Sequence, residues 1–129
     1  MKVLSVCSRG VNRSRYLAEY LREKGYETDF CGVAEGAERE CTGEKIEWAD
    51  LIICTTPKHL RLLLEKFHIR KPVIVLRIRD VSAGTARKMI RAGMVGELNE
   101  LKEKLVYWQI RREIGAFLPL EEYVKEWES

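Results

Sequence analysis

The sequence predicts an α/β fold: a four-stranded parallel sheet with helices on both faces. Three observations carry the prediction. Short runs at 2–6, 50–54 and 73–78 are apolar on both faces, as buried parallel strands are. Segments of helical periodicity lie between the runs and carry cap and stop residues. Strand and helix alternate along the chain, the pattern of crossovers between parallel neighbours.

The elements follow in order. Lys2 to Val6 is the first strand, with Gly10 marking a turn soon after. Ser14 to Lys24 is an amphipathic helix: Leu17, Tyr20 and Leu21 share one face, Arg15, Glu19, Arg22 and Glu23 the other, and Gly25 ends it. Tyr26 to Cys31 is the second strand. Gly32 to Gly43, rich in Gly and Glu, is a loop, and Thr42 caps a short helix through Trp48. Asp50 to Cys54 is the third strand. Thr55-Thr56-Pro57 then supplies a cap hydroxyl and a proline at the first helical position. That helix runs from Lys58 to Phe67, with Leu60, Leu63, Leu64 and Phe67 inward. Lys71-Pro72 breaks it, and Val73 to Ile78 is the fourth strand. Gly84, Gly93 and Gly96 bracket a short helix over Thr85 to Ala92. Glu97 to Ile114 is a long helix with Leu98, Leu101, Leu105, Trp108 and Ile110 on its periodic face, and Pro119 opens a last helix ending near Trp127. Right-handed crossovers then point to a flavodoxin-like sheet of order 2-1-3-4. Ligands of such sheets bind at the carboxyl ends of the strands, where the order reverses. The loops that matter begin at Cys7, Thr55 and Arg79.

Composition narrows the function. A chain of 129 residues fits one domain, 1–129. With 46% hydrophobic and 33% charged residues it is globular rather than disordered. A net charge of +3 spread along the chain is no nucleic-acid signature. The longest apolar runs, Leu51 to Cys54 and Val73 to Leu76, are too short to cross a bilayer. The start of the chain lacks the pattern of a secretory signal. Cys7, Cys31, Cys41 and Cys54 have no zinc spacing, and free thiols in a reducing cytoplasm are expected. Seventeen Glu against three Asp, with few amides, is a thermophile-like balance.

The chemistry is concentrated in Cys7-Ser8-Arg9-Gly10-Val11-Asn12-Arg13-Ser14, which reads C-x5-R-S between the first strand and the first helix. A short loop closing onto a helix N-terminus turns its backbone N–H groups inward, where they and the helix dipole hold a tetrahedral oxyanion. Arg13 reaches two of the oxyanion's oxygens with its fork. Cys7 points at the central atom from the loop floor, and the positive field favours the thiolate. Ser14 is placed to hydrogen-bond the sulfur. None of the other three cysteines has an arginine six residues on.

This loop resembles the phosphate loop of the low-molecular-weight protein tyrosine phosphatases. Ile46 to Cys54, with Lys58-His59 and Leu62 to Leu64 behind it, and Val75-Leu76 running into Asp80, resemble the short predicted branch of that family. The likeness covers about residues 1 to 80. The loop is also similar to that of the RNA polymerase II C-terminal-domain phosphatase, which likewise has Asn before the Arg. The resemblance implies a flavodoxin-like fold and hydrolysis of phosphomonoesters through a cysteinyl-phosphate, without metal or organic cofactor. It implies a phosphorylated protein or a small phosphomonoester as partner. The chain departs from the family in three ways. Ser8, Arg9 and Gly10 stand where Gly-Asn is usual, with Asn12 left to brace the loop. The second loop cysteine is missing, and with it redox protection by a neighbouring disulfide. Asp80 lies in Ile78-Arg79-Asp80-Val81, without the usual proline and aromatic.

Such a mechanism needs an acid for the leaving oxygen. Asp50 opens the third strand at the far edge of the sheet, and Asp29 lies inside the second. Asp80 follows the fourth strand at the near edge and is the expected acid, with a Glu between Glu35 and Glu40 as the fallback. His59 reads as a helix-surface residue and His68 as a helix-end residue, not as metal ligands. Cys31, Cys41 and Cys54 read as inert thiols, Cys54 being the one whose strand ends near Cys7. Tyr107, Trp108, Phe117, Tyr123 and Trp127 read as core. Arg87, Lys88 and Arg91, beside Met89, Ile90 and Met94, form a solvated helix face or else a substrate lip or partner surface. Two other functions stay open: arsenate reduction on the same loop, and phosphate binding or carriage without turnover. Oligomeric state is not readable.

Overall fold

Alternation within the strands organises the whole molecule. A computed structural model describes residues 1–94 and 96–129. Its strands are β1 (Lys2–Cys7), β2 (Glu27–Gly32), β3 (Leu51–Cys54) and β4 (Val73–Val75). Its helices are α1 (Arg13–Glu23), α2 (Gly43–Trp48), α3 (Pro57–Lys66), α4 (Ala83–Arg91), α5 (Leu98–Gly115) and α6 (Leu120–Glu128). The sheet is parallel throughout, in the order β2-β1-β3-β4. Fold class and strand order are those expected from the sequence.

Val3, Leu51 and Ile53 point to one face and pack with Leu17 and Leu21 of α1 and with Val106, Ile110 and Ile114 of α5. Leu4, Val6, Ile52 and Cys54 point to the other and pack with Ile46 of α2 and Leu63 of α3. Both sides of each central strand are therefore buried, which is why these runs lack polar alternation. The register places Cys7 opposite Gly32 and Val6 opposite Cys54. The carboxyl ends of β1, β2 and β3 thus lie level at one edge.

Several expectations change. β4 ends at Val75 rather than Ile78 because its neighbour β3 ends at Cys54. Beyond it Leu76 and Ile78 stay buried, their amides donating to the Cys54 and Thr55 carbonyls, while the exposed Arg77 and Arg79 donate their amides to the side chains of Glu113 and Gln109 on α5. α4 starts earlier than expected, because the Ser82 hydroxyl accepts from the Thr85 amide at 3.1 Å and caps it. Leu64 faces outward, since α3 buries His59 and Leu63 instead. On α5 the buried stripe runs through Leu101, Val106, Ile110 and Ile114. Trp108 is rotated out of it, 49% exposed under the Arg112 guanidinium, and Trp127 is 50% exposed. These two tryptophans are not core. Tyr107, Phe117 and Tyr123 are partly buried against the α1–α5 cluster.

The cysteines also depart from expectation. Cys31 and Cys41 form a disulfide across a separation of ten residues. They are neither free nor loose loop thiols, and the argument for a reducing compartment from unpaired cysteines falls with them. The β1–β2 register and the return of the 32–41 segment beside β2 bring them together, an approach that spacing alone does not show. Among the described residues no helix is long and apolar enough to cross a membrane.

Candidate active site

The loop 7–13 is shaped by a close stack of backbone on backbone. Gly10 has φ +73°, and a Cβ there would lie 2.7 Å from the Gly32 nitrogen and 2.8 Å from the Arg39 oxygen. A Cβ on Gly32 would lie 2.3 Å from the Arg9 carbonyl carbon. Only paired glycines permit this contact. The segment 32–41 then clamps the loop from outside. Val33 and Ala34 amides donate to the Cys7 and Ser8 carbonyls at 2.9 and 2.8 Å, and Arg9 pairs with Glu38 at 2.5 Å. The Cys31–Cys41 disulfide closes that segment at its base.

Inside the loop Cys7 is buried, and its Sγ receives two groups. Ser14 Oγ lies at 2.9 Å and the Gly10 amide donates at 3.3 Å. Both favour negative charge on sulfur when they donate to it. α1 opens immediately after the loop without a side-chain cap, because the Asn12 carboxamide oxygen accepts from Tyr107 OH on α5. Asn12 therefore anchors the loop to α5 instead of bracing it internally. Among the described residues, no protein acceptor takes the amides of Ser8, Val11, Asn12, Arg13 or Ser14. These amides, with the positive end of α1, are suited to the oxygens of a tetrahedral anion.

Arg13 and Asp80 are ion-paired at the rim, Arg13 mostly buried and the Asp80 carboxylate 91% exposed. A cavity of about 290 Å³ is lined by Cys7, Ser8, Arg9, Val11, Asn12, Arg13, Asp80 and one further residue, His59. Gly10 and Ser14 lie behind its wall, bonded to the sulfur. The other acids stand elsewhere. Asp29 is held by Arg39 and Lys45, each at 2.6 Å. Burial alone would raise its carboxyl, yet those two cations and the Phe30 amide hold it below the ordinary value. Asp50 accepts from the Lys2 amide at the opposite edge of the sheet. Glu35, Glu38 and Glu40 do not line the cavity, and neither do Arg87, Lys88 or Arg91.

His59 corrects the sequence reading. It is 5% exposed, not a surface residue. Its Nε2 lies 2.8 Å from Ser8 Oγ and its Nδ1 3.0 Å from Thr55 Oγ1. Burial first, then the charges of Arg13 and Lys58, lower its pKa to about 4. A signal for it existed: Thr55 begins a loop at the ligand edge, and His59 lies one helical turn further on. Cys54 is buried in the α2–α3 cluster, and burial pushes its thiol up to about 12. His68 is exposed and accepts from Arg70. Among the described residues no cluster of ligating side chains is suited to a metal ion.

No family model matches the chain, and no curated protein sequence does either. Solved structures do. The arginine phosphatase YwlE from Geobacillus stearothermophilus superposes with a TM-score of 0.58 at 18% identity, covering 95% of both chains. A cysteine-to-serine variant of YwlE carrying a phosphorylated active-site serine gives 0.57 at 15% identity, covering 92% of this chain and 97% of that one. A low-molecular-weight phosphotyrosine phosphatase from Vibrio cholerae O395 gives 0.60 at 12% identity, covering 93% and 98%. At these identities the likeness is one of fold, the flavodoxin-like fold of low-molecular-weight phosphatases, and it extends past the first 80 residues to α5 and α6.

Proposed function

We propose that the protein is a cysteine-dependent phosphatase that hydrolyses phosphomonoesters of the protein-tyrosine type through a cysteinyl-phosphate. One observation carries the reading. A buried thiol, bonded to Ser14 Oγ and the Gly10 amide, forms the floor of a loop whose remaining amides and Arg13 are suited to phosphate. Cys7 Sγ attacks phosphorus, the S–P bond forms, and the ester P–O bond breaks. Asp80 gives its proton to the leaving oxygen. Water then attacks phosphorus, its proton passes to Asp80, the S–P bond breaks and inorganic phosphate leaves. Arg13 and the loop amides hold the equatorial oxygens through both steps. The Arg13–Asp80 pair fits this sequence, since an incoming phosphate takes over the guanidinium and leaves the carboxyl beside the leaving group. The phosphorylated serine in the superposed YwlE variant supports a covalent route on this fold.

The arsenate-reductase reading loses support. Its best second thiol, Cys54, is buried and held protonated, and Cys31 and Cys41 are joined to each other. The cytoplasm still fits, because heat-adapted cells keep disulfides inside and the Glu-rich balance agrees.

The test is hydrolysis of para-nitrophenyl phosphate with chelator present. Wild type is expected to turn over with a burst and to be inhibited by vanadate. Cys7→Ser is expected to be inactive, and Asp80→Asn to lose about 100-fold in kcat. Phosphotyrosine and phosphoarginine peptides compared side by side decide the substrate class. Tight phosphate binding without turnover would leave a carrier module; full activity in Asp80→Asn would remove the acid assignment.

A further inference from the structure

We propose that His59 is a positioning residue that orients the Ser8 hydroxyl so that its hydrogen is presented to the oxyanion held in the loop. The inference deepens the phosphatase reading and rests on phosphate occupying that loop.

The geometry is a three-member chain from the core to the cavity. Thr55 Oγ1, wholly buried, lies 3.0 Å from His59 Nδ1, and His59 Nε2 lies 2.8 Å from Ser8 Oγ. Ser8 and His59 both line the cavity that holds Cys7. Among the described residues Ser8 Oγ has no other protein partner, so the imidazole alone directs it. Burial keeps the ring neutral at ordinary pH. A neutral imidazole carries one N–H and one bare nitrogen, so the chain has two states. In one, Nδ1–H donates to Thr55, and Ser8 donates inward to Nε2 with its lone pairs toward the cavity. In the other, Thr55 donates to Nδ1, Nε2–H donates to Ser8, and the Ser8 hydroxyl is free to donate into the cavity.

An anion distinguishes the two. The first state presents lone pairs to it and is repelled; the second presents a donor and is selected. All three bonds then run in one direction, toward the anion, and polarise one another. The loop has only one serine facing the cavity beside the nucleophile. The ring confines that rotor to two states, of which the anion selects the donating one, and this lowers the orientation cost of binding. His59 need not touch the anion itself, and it acts through Ser8.

The test uses the full chain and orthophosphate as probe, with affinity from calorimetry and kcat and KM from para-nitrophenyl phosphate. A glutamine amide reaches the place of Nε2, whereas an asparagine amide reaches only that of Nδ1. His59→Gln is expected to stay within about 2-fold of wild type in phosphate affinity. His59→Asn and Ser8→Ala are each expected to weaken it about 5- to 10-fold. Combining Ser8→Ala with His59→Asn is expected to add no further loss. Equal effects of Gln and Asn, or losses that multiply in the double variant, overturn the proposal. Nitrogen-15 NMR of the wild-type ring gives a readout independent of variant folding. Phosphate is expected to shift the ring toward the Nε2-protonated tautomer, and an unchanged tautomer overturns the proposal. Phosphate binding without turnover removes the hydrolase reading and leaves this one standing. No phosphate binding at all removes both.

Discussion

Two glycines set the shape of the loop 7–13, and their roles separate into strain and space. Gly10 meets both: its φ of +73° disfavours any side chain, and the Gly32 nitrogen sits 2.7 Å from where a Cβ would be. Gly32 meets space alone, but backbone atoms of Ser8, Arg9 and Gly10 all lie within 2.6 Å of its missing Cβ. Backbone cannot rotate away as a side-chain tip can. Gly25 has φ +98° with open space around it. Gly25→Ala is therefore expected to cost about 1 kcal/mol from conformation only. Gly32→Ala is expected to cost about 3 kcal/mol or more and to weaken phosphate binding, because it forces the loop off β2. Urea unfolding of the two variants checks the order, and equal costs would show that the contact relaxes freely. At this scale the sequence was informative about type and silent about pairing. Gly10 announced a turn. Nothing marked Gly32 as its partner, because their contact is made by the β1–β2 register across more than twenty residues of chain.

The 32–41 segment does more than connect β2 to α2. It donates amides to the loop carbonyls, pairs Glu38 with Arg9, and returns beside β2 so that the Cys41 amide donates to the Gly32 carbonyl at 3.0 Å. The disulfide confines the unfolded chain as well. For a loop of ten residues the chain-entropy account gives between about 2 and 3 kcal/mol. Cys41→Ser is expected to lose that much stability in urea without reductant. The wild type is expected to fall to the level of the variant when reductant is added, and a variant as stable as the oxidised protein would sink the idea. The segment's Gly and Glu content predicts the irregular loop it is, but its place as the outer wall of the site depends on contacts with residues far away in sequence. Helix starts were legible at the caps Thr42 and Thr56 but not at Ser82, whose helix begins two residues before the expected Thr85. The inward face of α5 was not legible either. A helix that packs against both α4 and α1 buries a stripe that drifts, which leaves Trp108 outside.

Across the whole molecule, topology was legible and the site's inner wall was not, for one physical reason. Parallel order follows from strands apolar on both faces, a property each strand carries by itself. His59 reaches Ser8 only because β3 pairs with β1 in a register that puts Cys54 beside Val6. One sequence does not show that register. Its consequence extends to the stability of the entire fold. His59 titrates near 6.5 when unfolded and near 4 when folded, lowered by burial and then by Arg13 and Lys58. Above pH 6.5 the ring is neutral in both states and its titration has no effect on stability. As pH falls below 6.5 the unfolded chain binds a proton that the folded ring refuses, so stability declines until pH reaches about 4. The full decline is about 3 kcal/mol, a large share of what a domain of this size has. Asp29 acts lower on the scale: its carboxyl is held below its ordinary value, so its contribution persists above the usual carboxylate range and is lost only as pH falls through the folded value. Urea unfolding at pH 7, 5.5 and 4 is thus expected to show a loss that begins before any carboxylate titrates. In His59→Gln, which has no proton to bind, the curve is expected to be nearly flat over the same range. A variant that declines as steeply as the wild type would assign the loss to other groups and would mean that the ring is not held neutral by its burial.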